Sequence, residues 1–140
     1  MFKSVFDKVV EFSNSIGLQI KITEELDEFF KGDLDGVNIY CRKMGYEEML
    51  FNVLHMIGHT VQWNVDSDLK EFGSVIYKNP DSELVEKLHN YEWEANCYGL
   101  YILHKIGVYN LDSWLHEKFV LDITYLTHFY LTGEKIREIT

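Results

Sequence analysis

The sequence predicts an α+β fold, with four main helices and a small three-stranded sheet, and two observations carry that expectation. Apolar residues recur at helical spacing in four separate stretches, and period-two alternation is confined to residues 18–41. Residues 2–15 put Phe2, Phe6, Val9 and Ser13 on one face, with Val5 and Val10 beside them, and Gly17 follows as a stop. Leu18-Gln19-Ile20-Lys21-Ile22 alternates as a half-buried strand does. After an acidic connection (Glu24, Glu25, Asp27, Glu28), a second strand is expected over 26–31. Asp35-Gly36 supplies a tight turn and Val37–Cys41 a third strand, so 26–41 reads as a β-hairpin and the sheet as partly antiparallel.

From about Tyr46 to Asn64 the period becomes helical, with Leu50, Leu54, Ile57 and Val61 on one face. Residues 65–78 are irregular, with room for a short helical turn. Asn79-Pro80 is expected to open the next helix, asparagine as cap and proline in the first turn. Its stripe is Leu84, Leu88, Tyr91, Ala95, Tyr98 and Ile102, and Gly107 closes it. A last helix runs from about Leu111 to Thr132, with Leu115, Phe119, Ile123, Leu126 and Tyr130 inward.

At 140 residues, with no repeat or linker, the chain is expected to form one domain over 1–140. A formal net charge of −10 repels phosphate backbones and disfavours a nucleic-acid partner. The N-terminal MFKSVFDKVVEF carries charges throughout, which excludes a signal peptide or membrane span there. Cys41 and Cys97 form no CxxC pattern; buried free thiols and a cytoplasmic location are expected.

His55-Met56-Ile57-Gly58-His59 places two imidazoles one helical turn apart, where both can reach one ion. The spacing alone proves little, because six histidines in 140 residues give roughly a one-in-four chance of such a pair. The competing reading is two helical histidines making ordinary hydrogen bonds. Both sit at the edge of the Leu50–Val61 stripe and are expected to be half-buried. Gly58 lowers helix propensity by about 1 kcal/mol relative to alanine, and would let another backbone approach closely. A third ligand should come from a second helix, and Glu92 sits on a stripe with Val85, His89, Asn96, Gly99 and Leu103. A glutamate at a core boundary is seldom buried unless paired, which a metal would explain.

Leu54–Thr60 together with Tyr91-Glu92-Trp93-Glu94-Ala95-Asn96 resembles the two signatures of the ImmA/IrrE family of HExxH zinc metallopeptidases. The element order is similar over roughly residues 1–105. The resemblance implies a zincin-like fold, an HxxxH helix followed by an ExxxN helix, and one zinc ion. It implies His55, His59 and Glu92 as metal ligands, Asn96 as a residue steadying a histidine, and strand 37–41 as a cleft edge that pairs with extended peptide. His89, one turn before Glu92, is a further candidate for lining the cleft.

One position departs from the pattern. Met56 stands where the family has the glutamate that takes a proton from the attacking water and hands it to the leaving amine. Loss of that step removes about 10²–10⁴ in rate, so weak or absent peptidase activity is expected. Glu48, two turns upstream, and Glu94, two residues from Glu92, are unconvincing substitutes. The relatives act on transcriptional repressors, which implies a protein or peptide partner. The alternative is a non-enzymatic protein-interaction domain whose degenerate site is metal-free. His104, His116 and His128 stand singly, Asp33-Leu34-Asp35-Gly36 lacks calcium-loop spacing, and Trp63, Trp93 and Trp114 read as core or interface anchors.

Overall fold

The structure, a computed structural model, describes residues 1–24, 32–75, 77 and 79–134. Helix α1 (Phe2–Ser15) buries Val5, Phe6, Val9 and Ser13. It ends where Gly17 turns to a φ of +91°, and Leu18 N–H reaches back to Ser13 O at 2.9 Å. Strands β1 (Gln19–Thr23), β2 (Gly32–Leu34) and β3 (Asn38–Arg42) form a sheet in the order β1-β3-β2. The four following helices are α2 (Tyr46–Val65), α3 (Ser67–Gly73), α4 (Ser82–Lys105) and α5 (Asp112–Thr132). The class is α+β, and among the described residues no helix is long and apolar enough to cross a membrane.

The turn expected at Asp35-Gly36 is present. The Asp35 carboxylate accepts from Val37 N–H and Asn38 N–H at 3.0 and 2.7 Å, and Gly36 takes a φ of +100°. These bonds, led by one from the Asn38 side chain, hold the Asp35 carboxyl down to about 2. The antiparallel arm pairs Leu34 with Ile39 and Gly32 with Cys41. The strand expected over 26–31 lies outside the described residues. β1 instead runs parallel to β3, Gln19 opposite Asn38 and Thr23 opposite Arg42. The expectation of strand 37–41 as a free edge is therefore corrected: β3 is central, and its backbone groups are committed to neighbours on both sides. Ile39 and Cys41 point into the core and are fully buried.

Helix α2 is the axis of the molecule. Eleven of its 20 residues are buried, spread around the helix, so the single stripe read from the sequence understates its burial. α1, β2, β3, α3 and α4 all pack against it. His55 and His59 are consequently buried at 6% and 5% exposure, where half-burial was expected. Val61, expected inward, is only half-buried.

The α4 start is also corrected. Asp81, not Asn79, is the cap, and its carboxylate accepts from Leu84 N–H at 2.8 Å. Asn79 takes a left-handed φ of 48°, which asparagine tolerates, and Pro80 lies before the helix. In α5 only Leu115 and Phe119 are buried, and Ile123, Leu126 and Tyr130 reach half-burial. Its first turns are fastened to α2: Trp114 Nε1–H donates to Glu47 at 2.9 Å, and Lys118 to Glu48 at 2.6 Å. Both cysteines are free thiols, Cys41 buried as expected but Cys97 exposed on the outer face of α4. Burial pushes the Cys41 thiol up to about 11, so it stays protonated and inert.

Candidate metal centre

The site is made by the closest approach of two helices. A Cβ added to Gly58 would collide with the Ala95 carbonyl and lie 2.7 Å from the Ala95 Cα. One turn along, Gly99 packs on Leu54, where an added Cβ would stand 3.2 Å from the Leu54 carbonyl oxygen. Two helices with no side chain between them bring their flanking residues face to face. His55 precedes Gly58 by three residues and Glu92 precedes Ala95 by three, so each falls beside the crossing.

Three donor atoms converge there. His55 Nε2 lies 2.6 Å from Glu92 Oε2, His59 Nε2 lies 3.0 Å from the same oxygen, and the two Nε2 atoms are 3.0 Å apart. Glu92 is 8% exposed. Among the described residues this is the one histidine, cysteine and carboxylate cluster of metal-binding geometry. Tetrahedral zinc, with bonds of about 2.0–2.1 Å, holds its ligand atoms about 3.3 Å apart. The three donors would open by about half an ångström, within reach of small side-chain rotations. Two imidazoles and a carboxylate are also a fitting donor set. Aromatic rings wall the imidazoles: Phe51 stacks on His55 at 5.9 Å, Tyr91 on His59 at 4.5 Å, and Phe119 stands 6.4 Å from His55.

The outer partners differ from those expected. His59 Nδ1 lies 2.8 Å from Gln62 Oε1, and Gln62 Nε2 donates to Tyr91 O at 2.8 Å and to Glu94 Oε1 at 3.0 Å. Asn96 is buried one turn beyond Glu92, but among the described bonds none joins it to a histidine. His55 Nδ1 is buried without a partner. Gln62 was not singled out in the sequence, although its place one turn after His59 was the available signal. His89 faces α5 and bonds Thr127 Oγ1 at 2.7 Å. Thr127 gives its own proton to Ile123 O, so His89 donates, and it acts as a clasp between α4 and α5.

Met56 is half-buried and packs against the core. Neither alternative carboxylate takes the missing glutamate's place. Glu48 is paired with Lys118 at 2.6 Å, and Glu94 is held behind Gln62. A groove of about 270 Å³ opens on that far side, lined by Gln62, Leu69, Phe72, Lys87, Tyr91 and Glu94; none of the three donors lines it.

The electrostatics of the cluster give a pH prediction. Burial pushes the Glu92 carboxyl up, but the charges and hydrogen bonds of His59 and His55 outweigh it and hold Glu92 well below the usual range. Burial lowers His55, but the Glu92 bond and charge, helped by Asp122, leave it raised above 6.5. The Glu92 contribution to stability is present above 4.5 and lost as pH falls through its depressed folded value. The His55 contribution is full below 6.5 and lost as pH rises through its raised folded value. Metal-free protein should therefore melt highest in mildly acidic buffer and lose stability on the alkaline side. A divalent ion competes with the proton, so its stabilising effect should grow with pH. Above pH 6.5 the melting curve without zinc should fall, while the curve with saturating zinc should level off, because neither the zinc-bound nor the unfolded imidazoles then hold a proton; parallel curves would contradict the account.

Compared with protein families, curated proteins and solved structures, the chain matches none. The residues and their geometry carry the functional argument.

Proposed function

We propose that this is a zinc-binding, metallopeptidase-like protein of zincin type, related to the ImmA/IrrE group, with weak or no peptidase activity. The observation that supports it most is the convergence of His55 Nε2, His59 Nε2 and Glu92 Oε2 from two helices onto one buried point. Three lone-pair donors brought within 3.0 Å in a dry interior repel one another unless a cation or a proton lies among them. Glu92 supplies the negative charge that offsets a dication, and the two imidazoles complete three protein ligands.

Zinc in this position would lower the pKa of a water toward about 7 and polarise a carbonyl. The chain's own residues do not complete peptide hydrolysis. Met56 cannot accept or deliver a proton, and its apolar side chain excludes water from the place where the glutamate would act. The donors are each less than a tenth exposed, which also limits access for a peptide carbonyl. Binding of a protein or peptide partner in a reducing cytoplasm completes the proposal.

The 2.6 Å contact between His55 and Glu92 favours a second reading, in which a proton bridges the cluster and the domain serves only protein interaction. Zinc titration separates the two. The first reading expects one tightly held equivalent, with affinity falling more than about a hundredfold in His55→Ala and Glu92→Gln, beyond the loss of an outer partner. Wild-type protein that takes up no stoichiometric zinc would establish the second.

A further inference from the structure

Gln62 is a fully buried amide, 1% exposed, on the face of α2 that carries His59. Buried glutamine is uncommon, and here every hydrogen-bonding group of the side chain has a partner. The partners fix its orientation. Tyr91 O is a backbone carbonyl and can only accept, so the atom facing it at 2.8 Å must be the NH₂ group. The second hydrogen of that group goes to Glu94 Oε1 at 3.0 Å. The remaining atom, Oε1, can only accept, and it faces His59 Nδ1 at 2.8 Å. In the neutral ring His59 Nδ1 must then carry the proton, which leaves the Nε2 lone pair pointing at Glu92 and His55.

We propose that Gln62, itself oriented by the Tyr91 carbonyl and Glu94, is a positioning residue that locks His59 in the Nδ1–H tautomer and so presents Nε2 to a metal ion. This rests on the zinc reading for its purpose, but the tautomer it assigns does not depend on metal. Glu94 thereby acquires a role. It does not replace the missing base; it anchors the amide that orients a ligand. A histidine whose outer nitrogen is held by a neutral amide is a slightly weaker base than one held by a carboxylate, and it adds no second charge to the buried site.

The test uses the full chain with two variants, Gln62→Leu and Glu94→Gln. The second keeps an oxygen at 94 to accept from the Gln62 amide, so it preserves the Gln62 orientation while removing the charge. Zinc affinity is measured by chelator competition, and the His59 tautomer by long-range ¹H–¹⁵N correlation at alkaline pH, with and without zinc. Wild type should show Nδ1 protonated in both states. Gln62→Leu should bind zinc about 10–100-fold more weakly and show mixed tautomers when metal-free, and Glu94→Gln should match the wild type in both. A wild-type His59 protonated on Nε2 would overturn the proposal. So would Gln62→Leu with undiminished zinc affinity and an unchanged tautomer. Should wild type bind no zinc, the function above fails, yet the metal-free tautomer still decides the role of Gln62. Should Gln62→Leu not fold, the wild-type tautomer decides it.

Discussion

Met56→Glu is expected to raise the rate of peptide cleavage by zinc-loaded protein about 10²–10⁴-fold over the wild type, from a rate at or near background. The position follows His55 directly, and Met56 is half-buried at the edge of the core. A carboxylate there would stand beside the donors contributed by His55 and His59. It would supply the one function that the surrounding residues lack, since Glu48 is bound to Lys118 and Glu94 to Gln62. The assay is cleavage of a mixed quenched-peptide library, with zinc content measured on the same samples. A variant that holds zinc like the wild type but stays inactive would mean that access, not the base, limits the site. A wild type already as active as the variant would mean that another group does the work of the glutamate.

Gly58→Ala should destabilise the protein by roughly 2 kcal/mol or more, although alanine is the better helix former by about 1 kcal/mol. The added methyl meets the Ala95 carbonyl carbon at 2.6 Å and the Cα at 2.7 Å. Those are backbone atoms and cannot rotate aside, so α2 and α4 must separate. The separation carries Glu92 away from the histidines, and zinc affinity should fall with stability. Gly99→Ala is the graded control, because its methyl would stand 3.2–3.3 Å from Leu54 and needs only a small shift. Urea unfolding of both variants checks the order. Equal midpoints would show that the crossing is not as tight as described.

Much of this was legible because the signals were local. Helical spacing placed α1, α2 and α4, and the Asp35-Gly36 turn was readable because aspartate caps its own turn. The His55, His59 and Glu92 cluster was legible because a pair one turn apart needs a third donor, and Gly58 announced a close neighbour. The parallel pairing of β1 with β3 was not, since alternation reveals a strand's faces but not its partner. The α4 cap moved from Asn79 to Asp81 because two adjacent signals competed, and only the Leu84 N–H bond distinguishes them. Gln62 was passed over because glutamine has no motif of its own. Its meaning comes from Tyr91 and Glu94 on another helix.

Helix α5 is fastened most firmly at one end. Trp114 and Lys118 tie its first turns to α2, while beyond Phe119 none of its described residues is buried and the His89–Thr127 bond clasps it to α4. A helix held this way opens first from its less buried end, at a fraction of the global unfolding free energy. Phe119, the last buried residue before that end, also stands beside the His55 ring. Were a metal ion held at the donors, its exchange would be set by how often the helix lifts. Chelator would remove metal at a rate that levels off as its concentration rises, and residence time would be decoupled from affinity. An ion once admitted would be retained through the lifetime of the closed helix, as a clasp keeps what a weak grip would lose.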